Sequence, residues 1–509
     1  VQEGIIWAGT DDGFIQVTNN GGSTWKSIPV TKLGIPERSF VNDIKADLYD
    51  PNTVYVSLDN HKEGDYSPYL FKSSDLGESW ESISNNIPDR TLVWRFVQDH
   101  IKKDLFFLAT EYGIYTSLNA GKNWQKLPGS PTISFKDIVI QERENDLIGA
   151  SFGRGFFVLD DFSALREMSE DNLSKKGKLF EPRDAKLYKP RNSYGNTGAQ
   201  FYVAKNPEYG AVFTYHLKDM PKTSKSKRIQ SERKLNSDKK DVPFPGYDAI
   251  SKEMNEKPAS IILTIKDSEG NHIRNVKKNA SNGSGRIAWN LRHKSYFPVR
   301  AGSSGPRWGY FNPSGPYVTP GEYHAEFYLE NNGSVEKLDG PISFNVKPLR
   351  KGTLEGASYD DYNSFRIRVS NLYIEMSKYQ DEFNMMKTKI ELLDKASLQL
   401  ETFSPEIMKK ISDFKTKYNA FDSETDGNPA KAEIGEWDKP SISMRTQIAM
   451  QGLSTSYGPT DLNKSNLDIA EKLFDKLALD VKMFKSELES LENEVKELNP
   501  PHLSGSGIN

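Results

Sequence analysis

Through residues 1–163 the apolar positions fall in short, strand-length runs, each bounded by Gly, Asn, Asp or Ser. One complete unit predicts strands near 39–46, 53–58, 69–73 and 79–83, and the next repeats them at 92–98, 105–110, 113–117 and 123–127. Short strands with turn signals at fixed offsets are what a radial propeller of four-stranded blades requires. The first unit shows strands at 4–9, 13–18 and 24–28 and lacks the leading one. The last shows 135–140, 146–151 and 155–159 and lacks the trailing one. A ring completed by a second segment is therefore expected, in preference to a four-bladed ring closing on itself.

From residue 164 the pattern lengthens. Ile261–Ile265 leads through Asp267-Ser268-Glu269-Gly270-Asn271 into a return strand. Ile287, Trp289 and Leu291 alternate onto one face, as do Tyr323, Ala325, Phe327 and Leu329, and Ile342, Phe344 and Val346 finish the set. These predict an Ig-like β-sandwich over 164–350. Residues 218–241 carry nine Lys/Arg against four Asp/Glu and read as a solvated, mobile insertion. The loop 301–319 holds Trp308 and Tyr310 among Gly, Ser and Pro. Beyond 358 the period changes again. Phe365, Val369, Leu372, Met376, Tyr379 and Phe383 step by four and three, and Leu467, Ala470, Phe474, Leu477 and Val481 do the same. With a shorter copy from Ile407 to Phe421, opened by Ser404-Pro405, these seams predict an antiparallel helical bundle over 358–499. A short helix fits 441–452, with polar linkers at 423–440 and 454–461.

One octet recurs between the last two strands of a unit. It reads Thr18-Asn19-Asn20-Gly21-Gly22-Ser23-Thr24-Trp25, then Ser73-Ser74-Asp75-Leu76-Gly77-Glu78-Ser79-Trp80, then Ser117-Leu118-Asn119-Ala120-Gly121-Lys122-Asn123-Trp124. Asn20, Asp75 and Asn119 can bond turn backbone, while Gly22, Gly77 and Gly121 take a positive φ. Trp25, Trp80 and Trp124 are expected to bury between blades. The octet resembles the Asp-box, or BNR repeat, of sialidases and sortilin-type propellers. His61 to Trp80, and Ala150-Ser151-Phe152-Gly153-Arg154-Gly155-Phe156-Phe157-Val158-Leu159-Asp160-Asp161, resemble stretches of large exported bacterial BNR-repeat proteins of the VPS10/sortilin-like type. Phe157 stands where their propeller-terminating motif usually has Trp. The resemblance implies a C-terminal half, a secreted, periplasmic or cell-surface location, and an N-terminal half or second chain that completes the ring. The glycosyl hydrolase label of that family rests on the repeat and carries little chemistry with it.

Composition narrows the chemistry. The 509 residues have a net charge of −3 and 36% hydrophobic content, which gives no global basicity for nucleic acid. There is no apolar run long enough to span a membrane. Zero cysteines exclude disulfides and thiol catalysis, and seven scattered histidines form no metal-hydrolase pair, so neither metal nor cofactor is expected.

A propeller usually binds at the mouth of its channel, where the turns between second and third strands gather. Those turns carry Asp11, Asp12, Asp65, Tyr66, Glu111, Tyr112 and Arg154 at equivalent offsets, a set suited to a polar or carbohydrate-like ligand, and Trp308 is a further candidate anchor. A glycosidase needs two carboxylates about 5–10 Å apart across a cleft. Asp12, Glu111 and Arg154 are weak catalytic candidates, because no sialidase-type Arg-Ile-Pro motif, arginine cluster or nucleophile elbow is visible. The expected function is a non-catalytic binding or scaffold module that recognises a protein or glycan. The alternative is a glycoside hydrolase whose active site is shared with a missing N-terminal half.

Overall fold

In the computed structural model, residues 2–190, 204, 206–299 and 315–502 are described. Trp308 and Tyr310 lie outside the described residues. Blade one comprises β1 (Ile6–Gly9), β2 (Phe14–Thr18) and β3 (Lys26–Pro29). Blade two is complete, with β4 (Phe40–Ala46), β5 (Val54–Asn60), β6 (Asp65–Ser73) and β7 (Glu81–Ser82). Blade three repeats it as β8 (Val93–Gln98), β9 (Phe106–Thr110), β10 (Gly113–Ser117) and β11 (Gln125–Lys126). Blade four has β12 (Phe135–Gln141), β13 (Asp146–Ser151) and β14 (Gly155–Leu159). Each blade is an antiparallel meander, and successive blades stack through apolar side chains. Val17, Ile28 and Val56 fill the first junction, Tyr55, Phe96 and Phe106 the second, and Phe107, Phe135 and Phe162 the third. On the far face of blade four, Val139, Ile148 and Val158 form one cross-strand row, with Ala150 and Phe156 beside it. No described blade covers that face, and Phe156 is 79% exposed.

The octets close their turns from within. The Thr18, Ser73 and Ser117 hydroxyls donate to Oδ1 of Asn20, Asp75 and Asn119 at 2.8–3.0 Å. The same hydroxyls accept the N–H of Gly22, Gly77 and Gly121 at 2.9–3.0 Å. Each Oδ1 also accepts the N–H four residues on, from Thr24, Ser79 or Asn123. In Asp75 the Ser79 hydroxyl, with Ser79 N–H and Ser73, holds the carboxyl well below the usual range.

The tryptophans do not share one fate. Trp124 is 2% exposed, and its indole N–H donates to the Ile83 carbonyl of the preceding blade at 2.7 Å. Trp80 is half-buried and stands edge-on to Trp7 of the preceding blade, centroids 6.3 Å apart. Trp25 is 45% exposed, which corrects the expectation of burial. The reason is positional. A box tryptophan seats on the blade before its own, and no described blade precedes the first.

Two sheets follow. One orders β15 (Gly177–Leu179), β17 (Ala211–Leu217) and β20 (Gly283–Trp289). The other orders β16 (Ala185–Leu187), β22 (Ser334–Pro348), β21 (Gly321–Asn331), β18 (Ser260–Asp267) and β19 (His272–Asn279), and β16 pairs parallel to β22. The alternating residues Ile287, Trp289, Tyr323, Ala325 and Phe327 meet in the core between them, giving an Ig-like sandwich. A short helix, α1 (Glu170–Ser174), precedes it. The basic stretch is solvent-exposed, as expected of a solvated insertion, and is partly helical. It contains α2 (Ser224–Ser237), capped by Thr223, in which Arg228 pairs with Glu232 one turn on and bidentately with Glu253 of α3 (Tyr247–Asn255).

The remainder is helical: α4 (Tyr359–Ser397), α5 (Pro405–Asp426), α6 (Pro429–Glu433), α7 (Ile442–Gln451) and α8 (Asp461–Lys496). The predicted linker at 423–440 is thus partly helical. Val369, Phe383, Ile390, Leu467, Phe484 and Leu491 belong to one shared core. Ion pairs fix the directions. Lys410 meets Glu494 and Lys417 meets Glu487, so α5 runs antiparallel to α8. Arg368 with Asp468, and Lys389 with Glu492, set α4 parallel to α8. No helix among the described residues is long and apolar enough to cross a membrane.

Two outcomes follow from this packing. Trp124→Ala is expected to cost about 3–5 kcal/mol, as for a large buried aromatic, whereas Trp25→Ala costs under about 1 kcal/mol. Equal losses on thermal melting would contradict the one-sided seating. In the sandwich, the Lys266 and Lys337 ammonium groups hold the Glu326 carboxyl down to about 2. A folded value below the unfolded 4.5 means that its contribution is complete above pH 4.5 and is lost as pH falls through about 2. Glu326→Gln is expected to cost about 1–2 kcal/mol at pH 7, discounted for solvent screening. Its gap from wild type in urea unfolding should narrow steadily below pH 4.5.

Candidate functional site

The leading strands β4, β8 and β12 pack side by side, and each is broken at the same place. The ladder skips one residue between Val41 and Asp43, between Val93 and Arg95, and between Phe135 and Asp137. The residues left over are Asn42, Trp94 and Lys136. A bulge takes its extra residue out of register and re-aims the side chain. Asn42 Nδ2 donates to the Val93 carbonyl at 3.2 Å, joining blades two and three. Lys136 Nζ lies 3.0 Å from the centroid of the Trp94 ring, joining blades three and four.

Glu111, on the turn between β9 and β10, completes this group. Its Oε2 accepts from the Trp94 indole at 3.1 Å and the Ser134 hydroxyl at 3.0 Å, and lies 3.8 Å from Lys136 Nζ. His61, past the end of β5, sets its ring edge-on to Trp94 at 5.9 Å and bonds the buried Asp59 carboxylate. Burial lowers the Lys136 ammonium below the ordinary lysine range, and the Glu111 and Asp59 carboxylates oppose that shift.

The other turn residues make local contacts. Asp11 and Asp12 are exposed on the β1–β2 turn, where Asp12 accepts the Thr10 hydroxyl. Asp65 accepts the Tyr69 hydroxyl at 2.5 Å and Ser67 N–H at 3.0 Å. Burial works against its ionisation, yet those bonds leave the carboxyl below its ordinary range. Arg90 sits 5.5 Å from the centroid of Tyr66. Tyr112 donates its N–H to Thr110 Oγ1, and its ring is 45% exposed. Arg154 is exposed at the tip of the β13–β14 turn, between Gly153 and Gly155, both at positive φ. The geometry therefore brings Glu111 to the bulge residues and leaves Asp12 and Arg154 in their own turns.

Trp94, Lys136 and His61 were missed by sequence reasoning. The available signal was a broken alternation: Val41/Ile44, Val93/Phe96 and Phe135/Ile138 are apolar pairs three apart, where a regular strand gives two.

These features define a β-propeller with Asp-box turns, joined to an Ig-like sandwich and long C-terminal helices. No known family profile and no characterised protein matches the sequence. Among solved structures, YCF48 bound to D1 peptide is 16% identical with a TM-score of 0.25, over 32% of this chain and 50% of that one. The GH74 xyloglucanase of Xanthomonas campestris is 14% identical with a TM-score of 0.23, over 29% of this chain and 24% of that one. The extracellular domain of a one-component system of B. thetaiotaomicron is 11% identical with a TM-score of 0.25, over 68% of this chain and 36% of that one. The chain thus spans half or less of each of these three structures.

Glu111→Ala strands the Trp94 indole and removes a counter-charge from Lys136, so a loss of about 1–3 kcal/mol is expected. Asp11→Ala and Arg154→Ala, exposed on their turns, should stay within about 0.5 kcal/mol. Urea unfolding of the three variants checks the contrast.

Proposed function

We propose that the chain is a non-catalytic binding or scaffold module of an exported, cell-envelope or secreted protein, which grips a protein partner through the turns of the propeller mouth. One observation carries this reading: Asp12, Asp65 and Glu111 each already accept hydrogen bonds from neighbouring side chains. These bonds take up part of the acceptor capacity that a general acid or base would keep open toward substrate. Around them, successive blades present Tyr66, Tyr112 and Phe152, with 42%, 45% and 74% exposure. Exposed aromatics on the equivalent turns of successive blades are suited to act as anchors at an interface. Phe152 favours a protein over a glycan, because a phenyl ring offers apolar area without a hydrogen-bonding handle. The exposed Trp25 and the open face of blade four support a second element of the proposal. Further blades, from an N-terminal segment or a second chain, complete the ring.

The test has two arms. Proteins recovered from envelope extracts with wild type should be depleted about tenfold or more with Tyr112→Ala/Phe152→Ala, at unchanged melting temperature. Identical recovery would remove the mouth from the binding surface. On a glycan panel no reducing sugar should appear. Turnover abolished by Glu111→Gln would replace this reading with a glycoside hydrolase.

A further inference from the structure

Away from the propeller, a cleft of about 900 Å³ lies where the sandwich meets the helices. It is bordered by the end of β16, the strap between β22 and α4, and the loop between α7 and α8. Tyr188, Tyr317, Tyr359 and Tyr457 supply flat walls, and Lys189 and Arg350 supply positive charge. None of the described residues lining it is Asp or Glu. Among the described residues neither Lys189 nor Arg350 has a carboxylate partner, although most lysines and arginines of the sandwich's charged strands are paired.

The walls are tied to one another. Leu349 N–H donates to the Leu187 carbonyl at 3.0 Å, and Ala357 N–H to the Tyr457 carbonyl at 2.8 Å. The Tyr362 hydroxyl donates to the Tyr317 carbonyl at 3.2 Å. Behind Tyr317, the Arg292 guanidinium sits 3.7 Å from the ring centroid and fixes its plane. The cleft is therefore preorganised, and its rim tyrosines Tyr188, Tyr359 and Tyr457 are 40–53% exposed with room for a ligand against them.

We infer that this cleft binds an acidic oligosaccharide, a short chain of uronic acid type. Tyrosine faces take the apolar faces of pyranose rings, and their hydroxyls with the serines of the α7–α8 loop (Ser454 and Ser456) exchange hydrogen bonds with sugar hydroxyls. Lys189 and Arg350 neutralise the carboxylates, Arg350 with the planar fork that suits them. The volume falls in the range that holds small ligands. A neutral glycan would leave both cations without partners, and a purely apolar ligand would strand the hydroxyls.

The test uses the intact protein, trigalacturonate as probe, cellotriose as the neutral control and citrate as the control for charge alone, read by titration calorimetry. Trigalacturonate is expected to bind at least about tenfold more tightly than either control. Lys189→Gln/Arg350→Gln should weaken it about tenfold or more and Tyr359→Ala about fivefold, with melting temperatures unchanged because all three side chains are exposed. Absence of binding, equal affinity for cellotriose or citrate, or affinity unmoved by the variants would each overturn the assignment.

Discussion

The buried carboxylate of Asp99 anchors the segment that leaves the propeller to the blades behind it. It is fully buried and takes a two-pronged grip from Arg166, Nε to Oδ2 at 2.7 Å and a terminal nitrogen to Oδ1 at 2.8 Å. Arg166 also reaches Asn145 of blade four at 2.8 Å, while Tyr49 of blade two donates to the Asp99 carbonyl at 3.1 Å. Lys102 adds its N–H to Asp99 and its ammonium to the Arg166 carbonyl. The ion pair thus ties blades three and four to the segment leaving them, and the Asp99 backbone carbonyl takes in blade two. A buried pair of this kind is tolerable only when every lone pair is answered, and removing one partner typically costs about 3–5 kcal/mol. The chain beyond is fixed by related contacts. Arg286 of β20 donates to the Asp160 and Asp161 carbonyls, and Glu144 receives both Arg183 and Lys186.

How far the sequence announces this depends on the range of the force involved. The strand pattern, the octets and the four-three seams are local signals, and β5, β9, α4 and α8 lie where their apolar spacing puts them. Ile287, Trp289 and Phe327 are buried because alternation allows little else. The helical state of 224–237 was hidden, because its support comes from Glu253, outside the stretch. The seat of each box tryptophan was hidden too, since it belongs to the blade before. Parallel α4 and α8 could not be read from two similar seams, which carry no direction.

At the mouth, Glu111 was reachable from its offset within the repeat, whereas its partners were not. Trp94 and Lys136 look like residues of ordinary strands until the skipped ladder position is seen. The bulge gives each blade one side chain that serves no pairing role, and the three blades spend it differently: a carbonyl clasp at Asn42, an aromatic platform at Trp94 and a charge at Lys136. Residues freed from the ladder in this way serve the contact between blades instead of the pairing within one.

The self-closed octet has a consequence for how such a chain is inherited. Eight residues make most of their own turn, including left-handed Leu76 and Ala120 where blade one has Gly21, and ask of the rest of the protein one backbone carbonyl, from Gly4, Asn52 or Asp104, and a seat for the indole on the blade before. A segment with so few external demands can be copied, lost or exchanged as a unit, although its Asn and Asp forms differ in their second bond: Asn20 Nδ2 donates to Thr24 Oγ1, whereas Asp75 Oδ2 accepts from the Ser79 hydroxyl. The number of blades can then change by duplication or loss of one such unit without redesign of the turn itself.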